Sequence, residues 1–167
     1  MSVAYDNAAW QPFFAMVGGA AAALVGLLFI ALSIHLRPIA ADPVARGQAR
    51  TALGGFVGIL ALAIVALIPG QPSHWLGGEI GVIGLARAAA SIRFQSETMR
   101  RLPTAHRRRY LASLAPVDFA TATILVAAAS LVAGRGGGFY WLAPTVVIYL
   151  GNALFNAWSL TVRIGER

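Results

Sequence analysis

Two charged residues, Arg87 and Asp118, lie inside long runs of apolar sequence. An ionised side chain in the hydrocarbon of a membrane is costly unless it meets a partner, so such residues usually serve a function. Counting residues from the neighbouring turns places both charges at a similar depth, near Asn152 and Asn156. We therefore predict an Arg87–Asp118 pair supported by the two asparagines. The alternative is that Arg87 reaches the lipid headgroups while Asp118 caps a helix.

A stripe of polar side chains recurs at alternating spacings of four and three along the last apolar run, which places it on one face of a helix. Two asparagines one turn apart are unfavourable in lipid, so this face is expected to contact protein or water. It is either the wall of an aqueous pathway or a hydrogen-bonded contact between helices. Its members are Thr145, Tyr149, Asn152, Asn156, Ser159 and Arg163.

Glu79 and His74 lie at the other end of the run that contains Arg87. A carboxylate at the mouth of a pathway attracts cations, so we assign both residues to an outer mouth. The alternative is that Glu79 is an ordinary carboxylate at a helix end, facing water.

Enzyme signatures are missing from the sequence. The three histidines are scattered, there is no cysteine, and no zinc-protease, serine-hydrolase or phosphate-loop motif is present. We therefore predict neither an enzyme nor a cofactor or metal site.

The composition indicates which elements must position these residues. The chain has 167 residues, of which 58% are hydrophobic and 11% charged, whereas soluble domains are about 25% charged. Its apolar runs lack the alternation of barrel strands. The predicted fold is all-α: one transmembrane domain, residues 1–167, forming a polytopic bundle of about five helices. The predicted spans are approximately residues 11–36, 48–69, 74–95, 116–134 and 139–163, and Pro38 is expected to stop the first helix.

The arginines predict the orientation of these spans, because positively charged loops stay on the cytoplasmic side. With five spans, the arginine-rich loops and the tail share one side, so the N-terminus is outside and the C-terminus inside. The largest loop, residues 94–115, is then cytoplasmic. It lies on anionic lipid headgroups or docks a partner, and no nucleic-acid-binding motif accompanies its charge. The arginines assigned to headgroups are Arg100, Arg101, Arg107, Arg108 and Arg109.

Small residues at four-residue spacing share one face of a helix and let two helix backbones approach closely. Such contacts form within one subunit or between subunits, and a bundle of short helices favours a homo-oligomer. The glycines assigned to helix packing are Gly18, Gly26, Gly54, Gly58, Gly77 and Gly81.

Two stretches carry a family resemblance: residues 18–33 (GGAAAALVGLLFIALS), and the ending FYWL at 139–142 with NAW at 156–158. They resemble small bacterial multi-span membrane proteins of unassigned role, sometimes labelled modulators of a membrane-bound AAA protease. The resemblance implies the bacterial inner membrane and no catalytic residues. Two functions follow as hypotheses: a homo-oligomeric pathway for ions or small solutes lined by the last helix, or a non-conducting regulatory or scaffold subunit that docks a larger membrane protein.

Overall fold

The computed structural model describes residues 2–101 and 104–165, with side-chain positions for all of these except residues 43, 97–101, 104–114 and 163–165. Every regular element in this part of the chain is helical, so the prediction of an all-α fold is confirmed there. Two short 3-10 helices cover Val3–Tyr5 and Gly138–Trp141. The α-helices are α1 (Asn7–Ile34), α2 (Leu36–Ala41), α3 (Pro43–Ala66), α4 (Ser73–Arg101), α5 (Thr104–Ala133) and α6 (Leu142–Gly165).

The length and apolarity of its helices indicate that the protein is a membrane protein. Four stretches in the described residues are long and apolar enough to cross a bilayer: Asn7–Ile34, Val44–Ala66, Ala115–Ala133 and Gly138–Val162. Helix α4 is not among them. Its 29 residues are about 43 Å long, which exceeds the hydrocarbon thickness, but it carries Glu79 and Arg87. The fifth span stays a prediction.

The connection between the first two apolar helices differs from the expected one. Sequence reasoning has Pro38 stopping the first helix, but α1 ends at Ile34 and Pro38 lies inside α2. Proline is tolerated there because the first turn of a helix leaves its N–H groups without intrahelical partners. Helix α3 then begins at Pro43, before the predicted residue 48, because the Asp42 side chain caps it by accepting a hydrogen bond from Val44 N at 2.8 Å.

By its contacts the chain divides into two compact units. The first unit comprises Met1–Trp10 and Ile68–Ile148, and contains α4, α5 and the start of α6. The second unit comprises Gln11–Leu67 and Tyr149–Arg167, and contains most of α1, α2, α3 and the rest of α6.

In the first unit, a face of glycines on α4 packs directly against α5. A Cβ atom added at Gly77 would lie 2.9 Å from the carbonyl oxygen of Ala128, and one at Gly84 would lie 2.8 Å from a methyl of Ile124. A Cβ at Gly81 would lie 3.6 Å from Cβ of Ala128. Real Cβ atoms do not approach other atoms to less than 3.0 Å. Glycine is therefore needed at Gly77, where the neighbouring atom is backbone, whereas at Gly84 the methyl groups of Ile124 and Leu125 would have to shift.

In the second unit, α1, α3 and α6 pack around the fully buried Phe56. Leu28, Ala52 and Ala153 complete its cluster. Two glycines make close contacts here: a Cβ at Gly18 would lie 2.7 Å from Cβ of Ala63, and a Cβ at Gly55 would lie 2.9 Å from Cβ of Ala153. A second cluster of buried side chains lies beside the α2–α3 connection and consists of Ile39, Ala45, Ala49 and Leu160.

Two of the glycines assigned to helix packing, Gly26 on α1 and Gly54 on α3, make no close contact within the described part of the chain. A Cβ at Gly26 or Gly54 would meet no heavy atom within 4 Å in the described residues, and both glycines are exposed. The close contact on α3 is made by Gly55, which lies beside the buried face that includes Phe56. Gly58, the other predicted contact residue, is half-buried. Within the chain, the close contact on α3 is therefore one residue out of phase with the predicted spacing, and contacts of Gly26, Gly54 and Gly58 between subunits stay a prediction.

Candidate functional site

The polar stripe of α6 is held mainly by hydrogen bonds along its own helix. Nδ2 of Asn156 donates to the carbonyl of Asn152 at 2.7 Å and lies 3.4 Å from Oδ1 of the same residue. The hydroxyl of Ser159 donates to the carbonyl of Phe155 at 2.8 Å. Tyr149 is buried at 3% exposure. The three residues Asn152, Asn156 and Ser159 are half-buried and form the part of the stripe that meets the surroundings.

These internal hydrogen bonds leave part of the amide capacity of Asn152 and Asn156 unused. A primary amide offers two N–H donors and an oxygen with two lone pairs, and the contacts above use only some of them. Because both side chains are partly exposed on an apolar helix, the remaining groups need water or another polar side chain once lipid surrounds the protein.

Thr145, at the start of the stripe, belongs to the first unit and has a different role. Its hydroxyl is fully buried and lies 2.7 Å from the hydroxyl of Thr123 on α5. Each hydroxyl also approaches a backbone carbonyl a few residues earlier in the chain: Thr145 lies 3.0 Å from Trp141 O, and Thr123 lies 2.8 Å from Ala120 O. The two hydroxyl protons cannot fully serve all three contacts, so a threonine that donates across to the other hydroxyl shares or gives up its bond to the backbone carbonyl. Thr145 is therefore a packing residue between α5 and α6.

Asp118 is held by two residues of α4 that sequence reasoning missed. Nε2 of Gln95 donates to both carboxylate oxygens at 2.8 and 3.0 Å, and the hydroxyl of Ser91 donates at 3.2 Å. Nε2 of Gln95 also lies 2.9 Å from Oγ of Ser91, so its two N–H groups are shared among three acceptor atoms. Arg87 lies one turn from Ser91 and is half-buried. The spacing of four that relates Arg87, Ser91 and Gln95 is the signal that could have identified this face. The Arg87–Asp118 pair itself stays a prediction.

A groove of about 260 Å³ runs along the α4–α5 pair beside this carboxylate. Its polar end holds Asp118, Gln95 and Ser91, and its walls become apolar toward Leu125. We call it the Asp118 groove. It is lined by Ala88, Ser91, Ile92, Gln95, Asp118, Thr121, Ala122 and Leu125.

Glu79 and His74, assigned to an outer mouth, are both exposed at the start of α4. Oε2 of Glu79 accepts a hydrogen bond of 2.7 Å from Nε2 of Gln71, in the connection before the helix. The His74 ring lies beside Trp75, with centroids 6.0 Å apart. The outer-mouth assignment stays a prediction.

The glycine-rich turn between α5 and α6 is tied to the N-terminal 3-10 helix. The hydroxyl of Tyr5 accepts a hydrogen bond from Gly137 N at 2.9 Å, and Oγ of Ser130 accepts one from Gly138 N at 2.8 Å. Ser130 also donates to the carbonyl of Arg135. Gly138 has a φ of +50°, and a Cβ there would collide with the backbone of Ala4. The turn therefore needs glycine at this position for both conformation and space.

The side chains of the arginines assigned to headgroups lie outside the described residues, as does that of Arg163. These residues are Arg100, Arg101, Arg107, Arg108 and Arg109. Among the residues that are described, no group of three or more histidine, aspartate or glutamate side chains is arranged to hold a metal ion.

Comparison of the chain with models of protein families, with curated proteins and with solved structures gave no match.

Proposed function

We propose that this protein is a homo-oligomeric membrane protein in which the polar faces of α6 line a pathway for ions or small solutes. One observation carries the proposal: Asn152, Asn156 and Ser159 are half-exposed on a helix that is long and apolar enough to cross a bilayer. A face of this kind is unstable against lipid, because the amide groups would lose their hydrogen-bonding partners.

A second copy of the chain supplies the missing partners most simply. Membrane helices associate through side-chain amides and hydroxyls, and identical subunits arranged around an axis bring the same face of α6 together. Amides around that axis then bind water and replace part of the hydration shell of a passing ion or polar solute. The apolar residues on the outside of α6, such as Val147, Phe155 and Trp158, are exposed and suit contact with lipid.

The orientation that accompanies this proposal places α4 across the membrane as the fifth span, with the N-terminus outside and the C-terminus inside. The arginine distribution supports it, because both arginine-rich connections then lie on the cytoplasmic side. The membrane is the bacterial inner membrane, as the resemblance in residues 18–33 implies.

Cysteine labelling tests the span. Single cysteines replace Ser73 and Ser96, which lie near the two ends of α4, in the otherwise cysteine-free chain. If α4 crosses the bilayer, a membrane-impermeant maleimide applied to intact cells labels residue 73 but not residue 96 until the membrane is opened. A cysteine at Gly137 is the control and labels together with residue 73. Labelling of residues 73 and 96 from the same side would exclude α4 as a span.

Flux through liposomes tests the pathway. We expect purified protein to conduct a small ion or solute, and Asn156→Leu to reduce the flux about tenfold, corresponding to about 1.4 kcal/mol on the barrier. Phe155→Leu is the matched control, since Phe155 is adjacent on the exposed apolar side and should leave the flux unchanged. Thermal stability is measured for both variants. An oligomer without flux, or equal flux from both variants, would contradict the proposal.

A second candidate function is a non-conducting regulatory or scaffold subunit. The observation that favours it is that α4 continues to Arg101 and α5 begins at Thr104, so the arginine-rich connection is largely helical rather than an extended loop. A helix pair of this kind can present a docking surface to a larger membrane protein. Absence of flux together with stable co-purification of such a partner would favour this function.

A further inference from the structure

We propose that the Asp118 groove binds the ammonium headgroup of a phosphatidylethanolamine lipid. The proposal concerns the first unit alone and does not depend on a pathway along α6. Its first support is the state of the carboxylate: Ser91 and Gln95 hold Asp118 in place through hydrogen bonds from neutral donors. Neutral donors orient a carboxylate without cancelling its charge, and Asp118 is exposed.

The second support is the gradient of chemistry along the groove. α4 and α5 run antiparallel, so Gln95 and Asp118 lie at one end, whereas Ala88 and Leu125 lie one to two turns further along. A lipid has the same order, a polar headgroup followed by apolar chains. A free ammonium ion in water would gain nothing from the apolar end of the groove.

The third support is the level of Asp118 along α4. The carboxylate is hydrogen-bonded to Gln95, which lies two residues beyond Arg93, where the uncharged run that follows Arg87 ends. This is the depth at which lipid headgroups meet hydrocarbon. The same end of α4 carries Arg93, which is exposed and can pair with the phosphate of the same leaflet.

The choice of headgroup follows from the hydrogen-bonding capacity of the Asp118 carboxylate. A carboxylate has about four lone-pair positions, and the contacts from Ser91 and Gln95 occupy at most three of them. A primary ammonium brings N–H donors together with a positive charge, and therefore suits the remaining position. The choline group is charged but has no N–H donor, and the phosphoglycerol headgroup carries no cation.

Lipid retention tests this assignment. The full chain is reconstituted into vesicles of phosphatidylethanolamine, phosphatidylcholine and phosphatidylglycerol in equal amounts with identical acyl chains, and the retained lipids are identified by native mass spectrometry. We expect phosphatidylethanolamine to be enriched, and Asp118→Asn to lower its retention to the level of phosphatidylcholine. Glu79→Gln is the control, because that carboxylate is exposed at the opposite end of α4.

A second variant keeps the test decisive if Asp118→Asn does not fold. Ala122 lines the apolar part of the groove and is exposed, so Ala122→Leu fills the groove without altering any charge and should also abolish the enrichment. Equal retention of the three lipids by the unmodified protein would overturn the proposal, as would full enrichment in both variants. Displacement of the lipid by free ethanolamine at equal concentration would also overturn it, since the site would then select a soluble cation.

Discussion

Gly77→Leu should destabilise the protein by about 3 kcal/mol or more, the upper range for overpacking a tight contact. The reason is that a Cβ at Gly77 already lies 2.9 Å from the backbone carbonyl of Ala128 and from Cβ of Leu131. A leucine there must push α4 away from α5, because a helix backbone cannot move aside as a flexible side chain can. Thermal unfolding in detergent, followed by circular dichroism, measures the effect.

The neighbouring glycine provides the control. Gly78 is exposed, and a Cβ there would meet no heavy atom within 4 Å in the described residues. Gly78→Leu should therefore leave stability unchanged or raise it slightly, since leucine favours the helix over glycine by somewhat under about 1 kcal/mol. If both variants unfold at the same temperature as the unmodified protein, the close approach of α4 and α5 is wrong.

Gly138→Ala should be the most damaging single-methyl change in the turn between α5 and α6. Its φ of +50° is unfavourable for alanine by about 1–2 kcal/mol, and the added Cβ would collide with the backbone of Ala4. We expect a loss of about 3 kcal/mol in total, with release of the N-terminal 3-10 helix. Hydrogen exchange at Tyr5 N, which donates to Ser2 O at 2.9 Å, reports that release.

Gly134→Ala separates the two causes. Gly134 has a φ of +66°, but a Cβ there would meet nothing within 4 Å in the described residues. This variant should show only the conformational cost and leave hydrogen exchange at Tyr5 unchanged. Equal effects of the two alanines on both stability and exchange would mean that contact with Ala4 contributes nothing.

The helices themselves were predictable because long apolar runs without strand alternation admit one secondary structure in a membrane. Their ends were less predictable. Pro38 was expected to stop a helix, yet a proline is compatible with the first turn of the short helix α2, and only the cap formed by Asp42 defines where α3 begins.

The phase of a helix face is a further feature that glycine spacing does not determine. Gly54 and Gly55 are adjacent, and a spacing of four from Gly54 reaches Gly58, which made that pair the natural choice. The buried face of α3 instead follows large residues, Phe56 and Ile59, and brings Gly55 against Ala153. Glycine spacing alone carries no information about which side of a helix is covered.

In the candidate site, too, residue spacing in the sequence predicted only part of the structure. The stripe on α6 was visible because its members repeat with the period of a helix. The partners of Asp118 on α4 and the contact between Tyr5 and Gly137, which are 132 residues apart in sequence, depend on tertiary packing. A single sequence contains no distance information of that kind, so these contacts could be recognised only in the folded chain.

The glycine face of α4 has a consequence for how the two helices are aligned along their axes. Interlocking side chains normally fix axial alignment, because a ridge on one helix enters a groove on the other. Glycines have no side chains to interlock, so the side chains of Ile124 and Leu131, which lie against Gly84 and Gly77, provide the interlocking here. A slip of one turn would bring Ile124 against Ile80 or Ala88 instead of Gly84, and it would also break the hydrogen bonds from Ser91 and Gln95 to Asp118. Packing and hydrogen bonding therefore favour the same axial alignment of the helix pair.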